Sequence, residues 1–275
     1  MTTAKIIDLP FADYLANPAF GSSDLRAFRT GPPAMVPWKR ANRHEDTAST
    51  VLGRAAHCAV LTPNLFASEF VFRPNDGRGD FRTKEGKAWR DEQTKTILTE
   101  EDRLTIAGVV QAIRGKRIEV ARAEQSVFWT CPETGLECKG RPDWFDTEAV
   151  YDLKVSIAAD KPFRSLMFSA YNAGWTHQLA HNRVGLHAAG VRTVKVGRLV
   201  VVSPNAPHFA HLLEVTENDL DFLELDNLNT RRGMAACVRA NHWPGTPDKW
   251  TTIELPASAA FTETDLEGAE EALPL

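Results

Sequence analysis

The spacing of apolar positions changes several times along this chain, and each change marks an element. Ser22-Ser23-Asp24-Leu25-Arg26-Ala27-Phe28-Arg29 reads as a short helix with Ser at its cap, stopped by Gly31-Pro32-Pro33. Leu52, Ala56, Ala59 and Val60 fall at helical spacing and predict a second helix over 50–61, which Pro63 ends. Asp76 to Arg82 is a charged, glycine-containing loop. From Thr83 to about Val120 the chain is strongly charged and poor in β-branched runs, which predicts two or three amphipathic helices covering another layer.

At Glu124 the period shifts to two. Ser126–Thr130, the turn Cys131-Pro132-Glu133-Thr134-Gly135, and Leu136–Gly140 read as strand, turn and strand, and 143–146 and 149–155 as two more short strands. Helical spacing returns over 162–171 and 175–189, with Gly190 placed to cap. Residues 194–202 and 208–215 predict a second pair of strands, and Thr216 caps a long helix to about Ala240. This order predicts an α/β fold, a central mixed β-sheet flanked by helices with an N-terminal helical addition. One domain is expected over 1–256, mainly helical to 120 and then sheet core and C-terminal helix, followed by an acidic tail over 257–275.

Length and composition are those of a folded globular protein: 275 residues, 43% hydrophobic and 25% charged. No apolar run approaches a membrane span and the N-terminus lacks signal-peptide architecture, so a cytoplasmic protein with no membrane partner is expected. Four scattered cysteines, Cys58, Cys131, Cys138 and Cys237, suit a reducing compartment. Taken alone, the net charge of −4 argues against a nucleic-acid partner. The charge is segregated, however. Residues 1–213 hold 28 basic and 23 acidic side chains, residues 214–275 hold 4 and 13.

Candidate chemistry lies in Arg141-Pro142-Asp143 and Tyr151-Asp152-Leu153-Lys154. On a strand, Asp152 and Lys154 project to one face, and a hairpin could bring Asp143 beside them. Two adjacent carboxylates suit a hard divalent cation, and a nearby ammonium can offset charge in a phosphoryl transition state. The same short pattern, an acid two residues before Lys, also occurs at Glu85 and Glu137, so a surface salt bridge is the competing reading. His57 on the 50–61 helix, Glu124 at the start of the first strand and Gln178 on the 175–189 helix are further candidates, each open to a purely structural reading.

In order, these segments resemble the PD-(D/E)XK nuclease superfamily, and within it the RecE-like branch (exodeoxyribonuclease VIII), related to RecB-type nuclease domains and typical of phage and prophage recombination. The resemblance runs from Ser22 to about Val202. It rests on the Ser22–Arg26 helix, Gly53–His57, Arg82–Trp89, Glu124 with Val127-Phe128-Trp129, Thr134–Asp143, Asp152–Lys154 and His177-Gln178. It implies a restriction-endonuclease-like core with Asp143, Asp152 and His57 as metal ligands, the Leu153 carbonyl as a backbone ligand, and Glu124 beside the metal. Lys154 would be the catalytic lysine, and Gln178 would position Lys154 or the scissile phosphate.

The implied activity is a Mg²⁺-dependent exonuclease, Mn²⁺ also serving, that resects linear double-stranded DNA from its free 5′ ends and leaves a 3′ strand for an annealing protein. A ring-like homo-oligomer is implied as well. Arg26, Arg29, Arg54, Arg78 and Arg82 of the 76–82 loop, and Arg141 are expected along the DNA path, since phosphates need Lys or Arg near the metal. Other readings are an inactive DNA-binding or assembly module, or an endonuclease of the same fold. The chain departs from the family in having Asn182 where a Tyr is usual. Its second carboxylate is Asp rather than Glu. Gly31-Pro32 and a single C-terminal-half cysteine stand where some relatives carry iron–sulfur ligands, so no cluster is expected.

Overall fold

The computed structural model describes residues 4–42, 47–248, 250 and 252. The chain divides into a unit spanning 1–244 and a short unit spanning 245–275. The expected acidic tail, 257–275, lies outside the described residues.

The first half is a string of short elements: β1 (Lys5–Ile7), α1 (Phe11–Ala16), α2 (Ser22–Thr30), α3 (Met35–Ala41), α4 (Ala48–Leu61), α5 (Pro63–Glu69), β2 (Phe70–Phe72), α6 (Lys84–Asp91), β3 (Thr96–Leu98) and α7 (Glu100–Gly115). The second half holds β4 (Ser126–Thr130), β5 (Glu137–Gly140), β6 (Trp144–Phe145), β7 (Ala149–Val155), α8 (Phe163–Asn172), α9 (Trp175–Ala188), β8 (Val196–Val202), β9 (Ala210–Val215) and α10 (Glu217–Ala240).

The second half follows the predicted order. Thr216 caps α10 by accepting from the Asp219 N–H, as expected. In the first half, α2 is capped by Gly21, not Ser22: the Asp24 carboxylate accepts the Gly21 N–H at 2.9 Å, so the third helical residue satisfies the donor from inside. β1, α1, α3, α5, β2 and β3 have no counterpart in the predicted elements. β2 and β3 pair in parallel over three residues each, too few for a period to show.

Four strands form the central mixed sheet in the order β6-β7-β8-β9, with β7 and β8 parallel and both outer pairs antiparallel. The parallel pair is joined through α8 and α9, the long crossover that parallel strands require. Strand alternation supplies both faces. Tyr151, Leu153, Val200 and Val202 pack against α4 and α7 through Ala55, Ala56, Val109 and Ile113. Val150, Leu199 and Val201 face Leu166 of α8, Leu179 and Leu186 of α9 and Leu220 of α10.

A second, antiparallel sheet, β1-β4-β5, packs Val127, Trp129 and Cys138 on Leu25 of α2 and Met234 of α10. Here α9 crosses closely. A Cβ on Gly185 would lie 2.6 Å from the Trp129 ring. In α4 it is Ala55 and Ala56, fully buried, that allow close approach to the sheet, whereas Gly53 faces open space. Among the described residues no helix is long and apolar enough to cross a membrane.

Candidate active site

β6 is only two residues long, and this shortness creates the site. It pairs Trp144 with Tyr151 and Phe145 with Val150. Extending that register by one step sets Asp143 opposite Asp152, and among the described residues no further strand covers that edge of β7. The Leu153 N–H on that edge donates instead to Asp143 Oδ2 at 2.5 Å. Leu153 also makes a backbone hydrogen bond with His57, which reaches the same spot from α4 and places Nδ1 3.5 Å from Asp143 Oδ2.

Glu124 completes the group. It lies in the turn before β4, not at the strand's first residue, with a left-handed φ of 56°. Its N–H donates to the Asp143 carbonyl at 2.9 Å, which ties the strained turn to β6. Its carboxylate accepts from Arg141 Nε at 2.7 Å. One donor atom each from His57, Glu124 and Asp143 falls within 4.8 Å of the others. Ligand atoms around one six-coordinate ion lie about 3–4 Å apart, so little adjustment would gather these three on a single cation.

On the neighbouring face Asp152 is fully buried. Lys154, two residues on, holds its Nζ 2.8 Å from Asp152 Oδ2. Gln178 of α9 accepts from the same Nζ at 3.3 Å. Asp143, Asp152, Lys154, Glu124, His57, Leu153 and Gln178 therefore converge at one sheet edge, approached by α4 from one face and α9 from the other.

Burial raises the Asp143 carboxyl to about 7, against the pull of Lys154. It raises Asp152 to about 6, again opposed by Lys154, while the Asp143 charge adds to the rise. Burial alone would depress Lys154, but the two aspartates outweigh it and its ammonium is held more firmly than usual. Burial and the Lys154 charge depress His57, which favours the neutral imidazole that metals bind. Two buried carboxylates crowded together with a neutral imidazole fit an oxygen-preferring divalent ion of the Mg²⁺ or Mn²⁺ type.

The arginines are dispersed. Arg26 acts electrostatically on Lys154, and its Cδ and the Nη2 of Arg29 each lie 3.5 Å from where a Gly174 side chain would stand. Arg29 also donates to Asn227 Oδ1 at 3.2 Å. Arg54 points to β3, bonding Thr96 Oγ1 at 3.0 Å. Arg78 and Arg82 project from the loop and pair with Asp76 and Asp80. Arg141 is turned inward, and besides Glu124 it bonds the Leu9 carbonyl and Ser126 Oγ, each at 2.7 Å.

The Arg141–Glu124 clamp is not among the contacts expected from sequence, which set Arg141 on the DNA path. The signal was present in the hairpin: pairing Thr130 with Glu137 and counting outward through Val127 and Gly140 brings Arg141 opposite Ser126, two residues from Glu124. Asn182 is buried over Gly140, whose Cβ would lie 2.5 Å from its Oδ1. All four cysteines are buried free thiols, and burial pushes Cys138 up to about 12. Such a thiol is a core residue rather than a thiolate ligand.

No protein-family model and no curated protein matches this chain. Among solved structures, it is similar to a candidate exonuclease from Eubacterium rectale, at 15% sequence identity and a TM-score of 0.52, over 88% of this chain and 97% of that one. The chain thus has a mixed α/β fold with the core arrangement of that nuclease-like structure.

Proposed function

We propose that this chain is a metal-dependent nuclease that hydrolyses phosphodiester bonds of linear double-stranded DNA, in the manner of RecE-like exonucleases, from the 5′ end. The observation that carries the reading is the convergence of Asp143, Asp152 and Lys154 on the uncovered edge of β7, with His57 and Glu124 completing an oxygen-rich cage. The fold of the Eubacterium rectale protein supports it.

His57, Glu124, Asp143, Asp152 and the Leu153 carbonyl would hold the ion. When bound, it supplies a water of lowered pKa and neutralises phosphate charge. The chain's own groups do the rest. Asp152 and Gln178 hold the Lys154 ammonium at the mouth of the site, where it faces charge developing on the phosphate. Arg26 adds positive potential beside it. Arg141 holds the Glu124 carboxylate in place and aims it.

The deciding experiment incubates purified protein with Mg²⁺ or Mn²⁺ and linear duplex labelled at either the 5′ or the 3′ end, beside a covalently closed circle. Release of short 5′-labelled products from the linear duplex alone is expected. Cleavage of the circle would make it an endonuclease, and no metal-dependent release from either substrate would leave an inactive DNA-binding module. The same reading places the enzyme in the cytoplasm as a ring-like homo-oligomer passing its 3′ strand to an annealing protein, and sedimentation velocity tests the assembly.

A further inference from the structure

Helix α8 buries Leu166 and Ala170 and little else. Its other side presents Phe163, Met167, Phe168 and Tyr171, exposed by 58, 52, 57 and 51%. A helix at the surface of a globular unit ordinarily turns polar residues outward. Four large apolar side chains on ten residues reverse that pattern and mark a binding surface.

Charge says what kind of surface it is. From Lys161 to Leu213 the chain carries no Asp or Glu, so neither α8 nor α9 has a carboxylate, while Lys161 and Arg164 flank the aromatics. The Arg164 guanidinium lies over the Phe168 ring at 5.8 Å. Lys161 and Arg164 favour a partner that supplies anions, and the exposed rings favour one that supplies flat groups, the nearby Asp226 carboxylate being bonded to His177. A polynucleotide strand does both, through phosphates and through bases that stack on aromatic side chains. Only unpaired bases offer free faces, which favours a single strand over a duplex.

Position ties the face to the candidate active site. The C-terminal end of α8 runs into Gly174, against which Arg26 and Arg29 lie. The Tyr171 ring is 5.3 Å from His177, the residue before Gln178, which holds Lys154. At 1.5 Å per residue α8 is about 15 Å long, room for roughly three or four stacked nucleotides. We propose that Phe163, Phe168 and Tyr171, with Arg164, form a stacking rail for a single-stranded nucleic acid leading to Lys154. Its assignment to the strand that enters or leaves the active site rests on the nuclease reading above.

The test is fluorescence anisotropy in EDTA at low salt, with the full chain and a labelled oligothymidylate of about a dozen nucleotides, against an abasic strand of the same length. The wild type should prefer the thymidylate strand. Phe163→Ala/Phe168→Ala/Tyr171→Ala should weaken its binding about tenfold or more and erase the preference for bases. Phe168→Tyr/Tyr171→Phe, which keeps the rings, should retain both.

Equal thymidylate affinity in wild type and triple alanine variant overturns the rail. So does a wild type that binds both strands alike, or a triple variant whose only change is a lower mass in sedimentation, since that face would then join copies of the chain. The measurement needs no metal and no turnover. A protein that cuts nothing but loses strand binding in the triple variant refutes the nuclease reading and keeps the rail. One that cuts DNA with unaltered strand binding refutes the rail alone.

Discussion

Arg141 Nε donates to the Glu124 carboxylate at 2.7 Å, and the same guanidinium bonds the Leu9 carbonyl and Ser126 Oγ. One side chain thus fixes the N-terminal segment, the first residue of β4 and the carboxylate that lies within 4.8 Å of ligand atoms of His57 and Asp143. Arg141→Met should cost roughly 2 kcal/mol of stability, since the pair is largely but not wholly removed from water. It should also weaken Mn²⁺ binding. Calorimetric titration of Mn²⁺ into wild type and variant checks this, and equal affinity would detach Glu124 from the metal cage.

Lys154→Ala should reduce DNA hydrolysis by about 10²–10³-fold, the loss typical of one preorganised electrostatic group. It removes the charge that opposes the rise of Asp152, so metal binding should shift to higher pH as well. Gln178→Ala, which only frees the ammonium, should cost about tenfold. Single-turnover rates on one labelled duplex separate the two, and a larger loss for Gln178→Ala than for Lys154→Ala would reverse their roles.

Asp143 and Asp152 bind protons more tightly in the folded chain than unfolded, near 7 and 6. The stability they contribute in metal-free protein is present below the ordinary carboxylate range and is lost as pH rises through those values. A divalent ion binds only the ionised pair and offsets that loss. The rise in Tm on adding Mg²⁺ or Mn²⁺ should therefore grow from about pH 5 to about pH 8. Differential scanning fluorimetry across that range reads it directly. A metal effect that shrinks toward high pH contradicts the assignment.

Lys139 is buried, and its Nζ donates to the carbonyls of Tyr14 at 2.8 Å and Asn17 at 2.7 Å, closing the C-terminal end of α1. Lys139→Met strands those carbonyls and should cost about 2–3 kcal/mol, measured by urea unfolding. DNA hydrolysis at low temperature should be retained. A selective loss of hydrolysis with unchanged stability would move the catalytic lysine to the Glu137 triplet.

The two [DE]-x-K triplets on strands show where legibility ended. Glu137-x-Lys139 and Asp152-x-Lys154 look alike in sequence. In the fold, Lys139 is consumed by α1, an element too short for its six residues to show a period, and Glu137 turns outward to Thr130. Lys154 instead bonds Asp152 and Gln178 and stands by Asp143, where β6 stops short and leaves the β7 edge uncovered. Which triplet stands at an open edge depends on strand length and pairing, and those are set by long-range contacts.

By itself the sequence determined the order of the longer helices and strands from 126 to 240, because period and capping are local properties of the chain. It also placed Asp143, Asp152, Lys154, His57, Glu124 and Gln178 as one candidate set. Only the tertiary structure decided the three-residue strands, the inward turn of Arg141, the dispersal of Arg54, Arg78 and Arg82, and the exposed ring face of α8. The strand pairing, the place of Arg54 and the inward turn of Arg141 follow from partners tens of residues away in sequence. A side chain's neighbours, its burial and hence its charge state are fixed there, and no window along the chain contains them.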